Sequence, residues 1–584
     1  MGSKRTKTTR TVLSEETVQH AQDKKPPQNT ATPIHVKREP TVMRLHELFV
    51  YGGILALLYL FIVALSPLPS LHLHRTPLIT ALPWTLLPSQ VFFPGAWTTN
   101  TLLSTPDWLH PTLLGVTLVA LTAIYAWTVW RMVRCANPAS NTARWLMVLL
   151  GGVLLFGLLL LFQPALFSDD VFTYIFSGRL LAVYHANPLN TAPLQFPGDP
   201  YLQWVVSGRN APNIYGPLWL CIASGLVSLG NGQVMTLLLF KGVALLSHLL
   251  NCLLVWAILS KIAPSRRLLG TLLYAWNPLA MLELVGSGHN EGVLISILLL
   301  ATLLYVYNKG HWSEFGVLLT LGVAGSMNLI AFLIVPLLLW FMVRTEPGIA
   351  RVLRGFCWRA LVVLVPAIAF YLPFWRGAET FFAITSAIDM AHFVHSPAAL
   401  LIQPTRWTFG LVAQWSQFPP VMQPDTAADS TLRASTILIF VLIYIHLFSR
   451  VRHATTTIAG MRYDPLADQA MTLPGFDVLL ECWSSAIFWY LVLILGLFWP
   501  WYVLWALWIV VLRRLDGRTL ALLLFSGTAL LIYPLLGFAQ SPLNQYQSLL
   551  TFGVPLVCLY IYRRKQTDTA IAEKPDSTVA EGKE

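Results

Sequence analysis

Apolar runs close to bilayer length alternate with short polar stretches along nearly the whole chain. The first three lie near Phe49–Leu65, Thr112–Trp130 and Leu146–Phe162, each close to the roughly 20 residues a helix needs to cross hydrocarbon. Further runs fall near Val234–Leu259, Leu268–Leu284, Val293–Tyr307, Phe315–Ala324, Leu329–Met342 and Arg359–Pro373. The last group lies near Thr436–Phe448, Ile487–Phe498, Tyr502–Leu512, Leu520–Leu536 and Leu549–Tyr562. Tyr215–Gly230 reads as a half-helix or re-entrant segment, because a full crossing there would carry Arg266 and Arg267 to the outer side. The short runs between Phe315 and Met342 read as one broken hairpin. The pattern predicts an all-α polytopic transmembrane bundle of about 13–14 spans.

Three divisions follow. Residues 1–47 mix Lys and Arg with Thr, Pro and Gln and read as a disordered basic cytoplasmic tail. Residues 48–562 form the membrane domain, with outer loops at about 163–213 and 375–430, and 563–584 form a polar cytoplasmic tail. Basic residues mark the cytoplasmic ends of spans: Arg131, Arg134, Lys261, Arg266, Arg450, Arg452, Arg513 and Arg514 all agree with one scheme. In that scheme the loop opening at Ser168 emerges outside. Within it, Asp170–Tyr184 has Phe172, Ile175, Phe176, Leu180 and Val183 at helical spacing, which predicts a short helix lying on the membrane.

With 55% hydrophobic and 11% charged residues, a soluble domain is excluded. The net charge of +11 sits in tails and short loops, where it sets topology, so no nucleic-acid partner is expected. The six cysteines are scattered with no CxxC pair, so neither a zinc site nor a disulfide framework is indicated.

The candidate chemistry lies in SDDVFTYIFSGRLLAVYHANPLN, Ser168–Asn190. Acidic residues at the mouth of a span are expensive to hold near hydrocarbon and are functional candidates for that reason. Ser168 or Asp169 also has the chemistry of a helix N-cap. The neighbours Tyr174, Arg179, Tyr184, His185, Asn187 and Asn190 supply what a phosphorylated sugar requires: amides for hydroxyls, aromatics for ring faces, cations for phosphate.

Five segments, in order, carry a resemblance: the Ser168–Asn190 loop, YGPLW (Tyr215–Trp219), YAWNPLAMLELVGSGHNE (Tyr274–Glu291), YLPFW and FWPWYVLW. Together, over about Asp169–Trp505, they resemble the polyprenol-phosphate-mannose-dependent α-(1→6) mannosyltransferases of the GT-C class of membrane glycosyltransferases. The resemblance implies a polyprenyl-phosphate sugar donor presented at the outer face of the cell membrane, a glycan or glycolipid acceptor, and inversion of configuration. It further implies an aspartate general base in the first large outer loop, here Asp169 or Asp170, and neither a metal nor another cofactor. Tyr174, Arg179, His185, Asn187 and Tyr215, with His289, Asn290 and Glu291 of the GHNE motif, are the expected substrate-binding residues. Glu291 replaces an Asp usual at that point, and Asn328 stands where related enzymes often have Lys.

Lys241, inside an apolar run, and Arg376 are candidate ligands for the donor phosphate. Lys241 has an alternative in pairing with Glu283. Asp389, His392 and His395 share a helical spacing, but an interfacial helix accounts for them and no metal is expected. FWPWY, Phe498–Tyr502, reads as an aromatic belt. The rival function is a secondary transporter or a flippase for lipids or lipid-linked sugars. It fits less well, because no two matching halves are evident and the acids lie at a water interface.

Overall fold

The computed structural model describes residues 43–65, 108–134, 142–161, 163–206, 208–307, 310–381, 395–415, 423–454, 475–536 and 546–572. Most of the basic tail, most of the first outer segment before His110, and Asp389 and His392 lie outside the described residues.

Among the described residues the chain is helical and has no β-strand, only an isolated bridge between Arg376 and Ala378. Helices suit hydrocarbon because they satisfy every backbone N–H and C=O group within the segment. Among the described residues eight helices have the length and apolar composition of a crossing, and a ninth crossing results if a pair bent by 46° counts as one. Five further apolar helices are shorter, at 10–17 residues. The expected 13–14 spans therefore resolve into full crossings and half-helices. Pro217–Leu229, 13 residues, extends about 20 Å and falls short of a core about 30 Å thick, in keeping with the half-helix reading. The Phe315–Met342 region is broken as expected, into His311–Met327, a 3-10 turn Leu329–Leu333 and Val335–Val343. The break is held by Asn328, whose side chain accepts from Ile330 N at 3.0 Å.

Two boundaries differ from the sequence reading. The first helix starts at Leu45, inside the segment assigned to the tail. The last, Gln547–Ala572, runs ten residues past the expected end, because Arg, Lys and Gln propagate a helix nearly as well as Leu does.

Six elements position the site: α1 (Leu45–Leu65), α2 (Leu109–Arg134), α3 (Thr142–Leu160), α4 (Asp170–Ala182), α5 (Pro217–Leu229) and α6 (Gln233–Ile262). The turn from α3 to α4 is pinned on both sides: Gln163 Nε2 donates to Val63 O at 2.9 Å, and Phe167 N to Ser287 Oγ at 3.2 Å. Helix α4 is not a surface helix. Val171, Phe172, Tyr174, Ile175, Phe176, Ser177, Gly178 and Leu180 are all buried, so the apolar stripe read from the sequence is only part of its covered surface. It packs closely on α5 at Gly178, where a Cβ would stand 2.5 Å from Ala223 O.

After α6 the chain enters Arg267–Ala275 and breaks. Pro278 lacks an N–H and cannot continue the ladder. Asn277 starts the next segment, its side chain accepting from Leu279 N and Ala280 N at 3.0 and 3.3 Å. A π-helical turn, Met281–Gly286, follows, then the GHNE motif, then α7 (Glu291–Val306). Gly288 has φ +78°, and its missing Cβ would stand 3.3 Å from Val171 of α4. A side chain there would strain the backbone and hold α4 away.

Candidate functional site

The two aspartates have different environments. Asp169 occupies the N-cap position of α4 without capping it, and its Oδ2 instead accepts the Val206 N–H at 2.9 Å. Ser168 Oγ accepts from Asp170 N at 3.2 Å. Asp170 begins the helix and turns its carboxylate inward. Its Oδ2 accepts the Tyr215 O–H at 3.1 Å and lies 3.6 Å from His289 Nδ1, with 15% of the side chain still exposed.

His289 is the centre of the arrangement. Its Nε2 lies 3.4 Å from Glu283 Oε2, and its Nδ1 lies 3.9 Å from Glu291 Oε2 and 3.4 Å from the Tyr174 hydroxyl. The ring stacks on Trp501 with centroids 4.3 Å apart. Glu283 is itself held, accepting the Tyr533 O–H at Oε1 at 2.5 Å. Tyr174 stands edge-on to Tyr215 and Trp219, at 4.8 and 5.2 Å. Three carboxylates thus surround one buried imidazole, inside a wall of aromatic rings.

Burial raises the Asp170 carboxyl above the ordinary carboxylate range. His289, Tyr215 and Ser168 oppose that rise, and Asp169 adds to it. For His289, burial alone would disfavour the charged ring, but Glu283, Glu291 and Asp170 outweigh it and raise its affinity for a proton.

The remaining expected residues divide. Tyr174, Tyr215, His289 and Glu291 come together with Asp170. Asn290 is buried beside them at the N-cap of α7, with no capping bond from its side chain. Arg179 is engaged elsewhere: it pairs with buried Asp199 at 2.7 Å, which also accepts the Tyr184 O–H at 2.8 Å. Asn187 ties the loop to the YLPFW segment, donating to Phe374 O at 2.9 Å. His185, at φ 51°, is exposed. Lys241 does not pair with Glu283. Its ammonium donates to three carbonyls, Leu160 O at 3.1 Å, Gly286 O at 2.9 Å and Gln163 O, which occupies all three N–H groups of the candidate phosphate ligand. Arg376 is exposed, its backbone N donating to Thr380 Oγ1 at 2.7 Å. His395 lies beside Trp499. Among the described residues no group of three or more His, Cys, Asp or Glu is placed to hold a metal ion.

Sequence reading did not include Glu283, Trp501 or Tyr533 in the site. Glu283 offered a signal, an acid in an otherwise apolar run, but it was weighed only as a partner for Lys241. Trp501 was assigned to the aromatic belt.

The site and the arginines lie at opposite ends of one crossing. Arg267 Nη2 donates to Thr142 Oγ1, at the first residue of α3, at 2.7 Å. Ser168 and the aspartates follow the far end of the same helix. The arrangement joins a partly open carboxylate, able to accept a proton, to aromatic faces and amides suited to a sugar.

Residues 86–344 match the model of the MptA_B family, described as alpha-(1->6)-mannopyranosyltransferase, N-terminal domain. The match takes in the first three of the five resembling segments and ends before YLPFW and FWPWYVLW. No curated protein and no solved structure matches the chain. The chain is thus a multi-pass membrane protein in which residues 86–344, holding both aspartates, His289 and Glu291, are similar to the N-terminal domain of alpha-(1->6)-mannopyranosyltransferases.

Proposed function

We propose that the protein transfers a mannosyl group from a polyprenyl-phosphate mannose to a glycan or glycolipid acceptor at the outer face of the cell membrane, with inversion, and that Asp170 is the general base. The observation that carries this reading is the contrast between the two aspartates. Asp169 is tied to a backbone N–H, whereas Asp170 offers a partly open carboxylate facing Tyr215 and His289.

In the reaction an acceptor hydroxyl attacks the anomeric carbon from the face opposite the phosphate. Its oxygen bonds to that carbon as the bond to the phosphate oxygen breaks, and the polyprenyl phosphate leaves with the electron pair. The hydroxyl proton passes to the Asp170 carboxylate. Tyr215 fixes the direction of the carboxylate and, being only half-buried, offers a ring to the sugars, whereas Tyr174 is buried and Trp501 is stacked between His289 and Trp499. Orientation follows from charge. Arg267 at the start of α3, with Arg266, Arg513 and Arg514 around Leu512 and Asp477, marks the cytoplasmic end, which leaves the aspartates outside.

The test is transfer from radiolabelled polyprenyl-phosphate mannose in membranes carrying wild type, Asp170→Asn or Asp169→Asn at matched protein levels. Loss of a general base lowers turnover by about 100- to 10,000-fold, expected for Asp170→Asn. Asp169→Asn keeps an oxygen for Val206 N and should stay within about tenfold of wild type. Equal activity of wild type and Asp170→Asn would overturn the assignment.

A further inference from the structure

Within the site read above, His289 has a property that neither the family match nor the base assignment supplies. Both of its ring nitrogens face carboxylates: Nε2 faces Glu283 at 3.4 Å, and Nδ1 faces Asp170 at 3.6 Å and Glu291 at 3.9 Å. A neutral imidazole has one N–H and one lone pair, so in either tautomer it would turn a lone pair toward an acid. Only the doubly protonated ring offers an N–H on both sides. Glu283 Oε2, Glu291 Oε2 and His289 Nε2 are buried with no hydrogen-bond partner of ordinary length. The neutral alternative is an Nε2–H tautomer whose Nδ1 accepts the Tyr174 O–H at 3.4 Å, and it leaves Asp170 and Glu291 facing a lone pair.

We infer that His289 stands as an imidazolium, a fixed internal cation that holds the Asp170 carboxylate ionised inside an apolar wall. It is a positioning residue: it keeps the base in its working form and need not touch either sugar. The inference rests on Asp170 being the base.

The surroundings agree. From α4, Asp170 and the Tyr174 hydroxyl face the ring; from the π turn, Glu283; from α7, Glu291. Lys241 of α6, the neighbouring cation, directs its ammonium to carbonyls and does not neutralise the acids. Tyr533 donates to Glu283 Oε1, which leaves Oε2 for the imidazolium. Trp501 covers one face of the ring at 4.3 Å, an arrangement that favours a cation.

The sign follows directly. A base must be ionised, so transfer is present above the Asp170 pKa and is lost as the pH falls through it. An opposite charge within about 4–6 Å lowers a carboxyl by about 1–3 units. Removing the imidazolium with His289→Gln should therefore move the acid limb of kcat/KM upward by about one unit or more.

Two readouts test this. The first is the pH profile of mannosyl transfer for wild type and His289→Gln. The second needs no turnover: nitrogen-15 NMR of histidine-labelled protein, with His289→Gln identifying the resonances. Near neutral pH both nitrogens of His289 should carry protons. A lowered rate with an unmoved acid limb, or a singly protonated ring, would overturn the inference. Should His289→Gln fail to fold, Glu283→Gln keeps the side-chain volume and removes the charge opposite Nε2. It should move the limb the same way and deprotonate the ring, and no change in either would refute the claim. If wild type transfers no hexose from any polyprenyl-phosphate donor, the proposed function fails while the NMR measurement still decides the state of His289.

Discussion

Gly178 offers a test of how closely α4 and α5 must approach to place the candidate base. A Cβ there would stand 2.5 Å from Ala223 O, 2.7 Å from Ala223 C and 2.9 Å from Val227 Cγ2, where ordinary contact begins at 3.4 Å. In Gly178→Ala the helices must part by about 0.9 Å, the gap between 2.5 and 3.4 Å, because a backbone carbonyl has no rotamer to move to. Overpacking of this kind destabilises by about 1–3 kcal/mol, and the better helix propensity of Ala returns up to about 1 kcal/mol. We expect a net loss of about 1–2 kcal/mol. Asp170 opens the same helix, and a displacement of about 1 Å in a reacting group lowers turnover by about 100-fold. Gly225→Ala in α5 is the matched control: nothing lies within 4 Å of its Cβ, so it should be neutral or stabilising by up to about 1 kcal/mol. The assay is mannosyl transfer at matched protein levels, together with the half-life of activity on heating in detergent. If Gly178→Ala and Gly225→Ala behave alike in both, the close-approach argument is wrong.

Two further predictions concern residues that support the site from outside it. Lys241→Met strands the carbonyls of Gln163 and Gly286 in an apolar interior and leaves Leu160 O with only the Gln163 N–H at 3.3 Å. At about 1–3 kcal/mol for each buried group left unpaired, heat inactivation should be markedly faster; an unchanged half-life would show that the clasp contributes nothing. Arg179→Met leaves Asp199, whose side chain is fully buried, without its cation. Removing one partner of a buried pair destabilises by about 3–5 kcal/mol, so yield and half-life should fall, and Arg179→Met with Asp199→Asn should recover part of the loss. If Arg179 instead binds the donor, the single variant would raise KM and leave stability intact.

Much of this architecture was legible in the sequence because lipid imposes strict demands. Long apolar runs had to become helices, and Arg266 and Arg267, which a full crossing at Tyr215–Gly230 would have carried outside, signalled a half-helix there. The acidic pair was found because carboxylates are rare beside hydrocarbon. The different environments of Asp169 and Asp170, on which the proposed choice rests, were not legible, since they depend on a Val206 amide 37 residues away that local pattern cannot supply. Nor was the engagement of Lys241, because its carbonyl partners lie at helix ends that only three-dimensional packing brings together. Helix α4 was taken for a surface helix because periodicity detects one apolar stripe. It does not register that Tyr174 and Ser177, polar by type, are buried as well.

The hydrogen bond between Tyr533 and Glu283 joins residues 250 positions apart, and this has a consequence for biosynthesis. Asp170, Glu283, His289 and Glu291 are all translated before Trp501 and Tyr533 exist. Until those late residues enter the membrane, Glu283 lacks its O–H donor and one face of the imidazole lacks its cover. The growing polypeptide therefore carries every acid of the site well before it can complete it, and the last segments to be translated supply Glu283 with its hydroxyl donor and His289 with its cover.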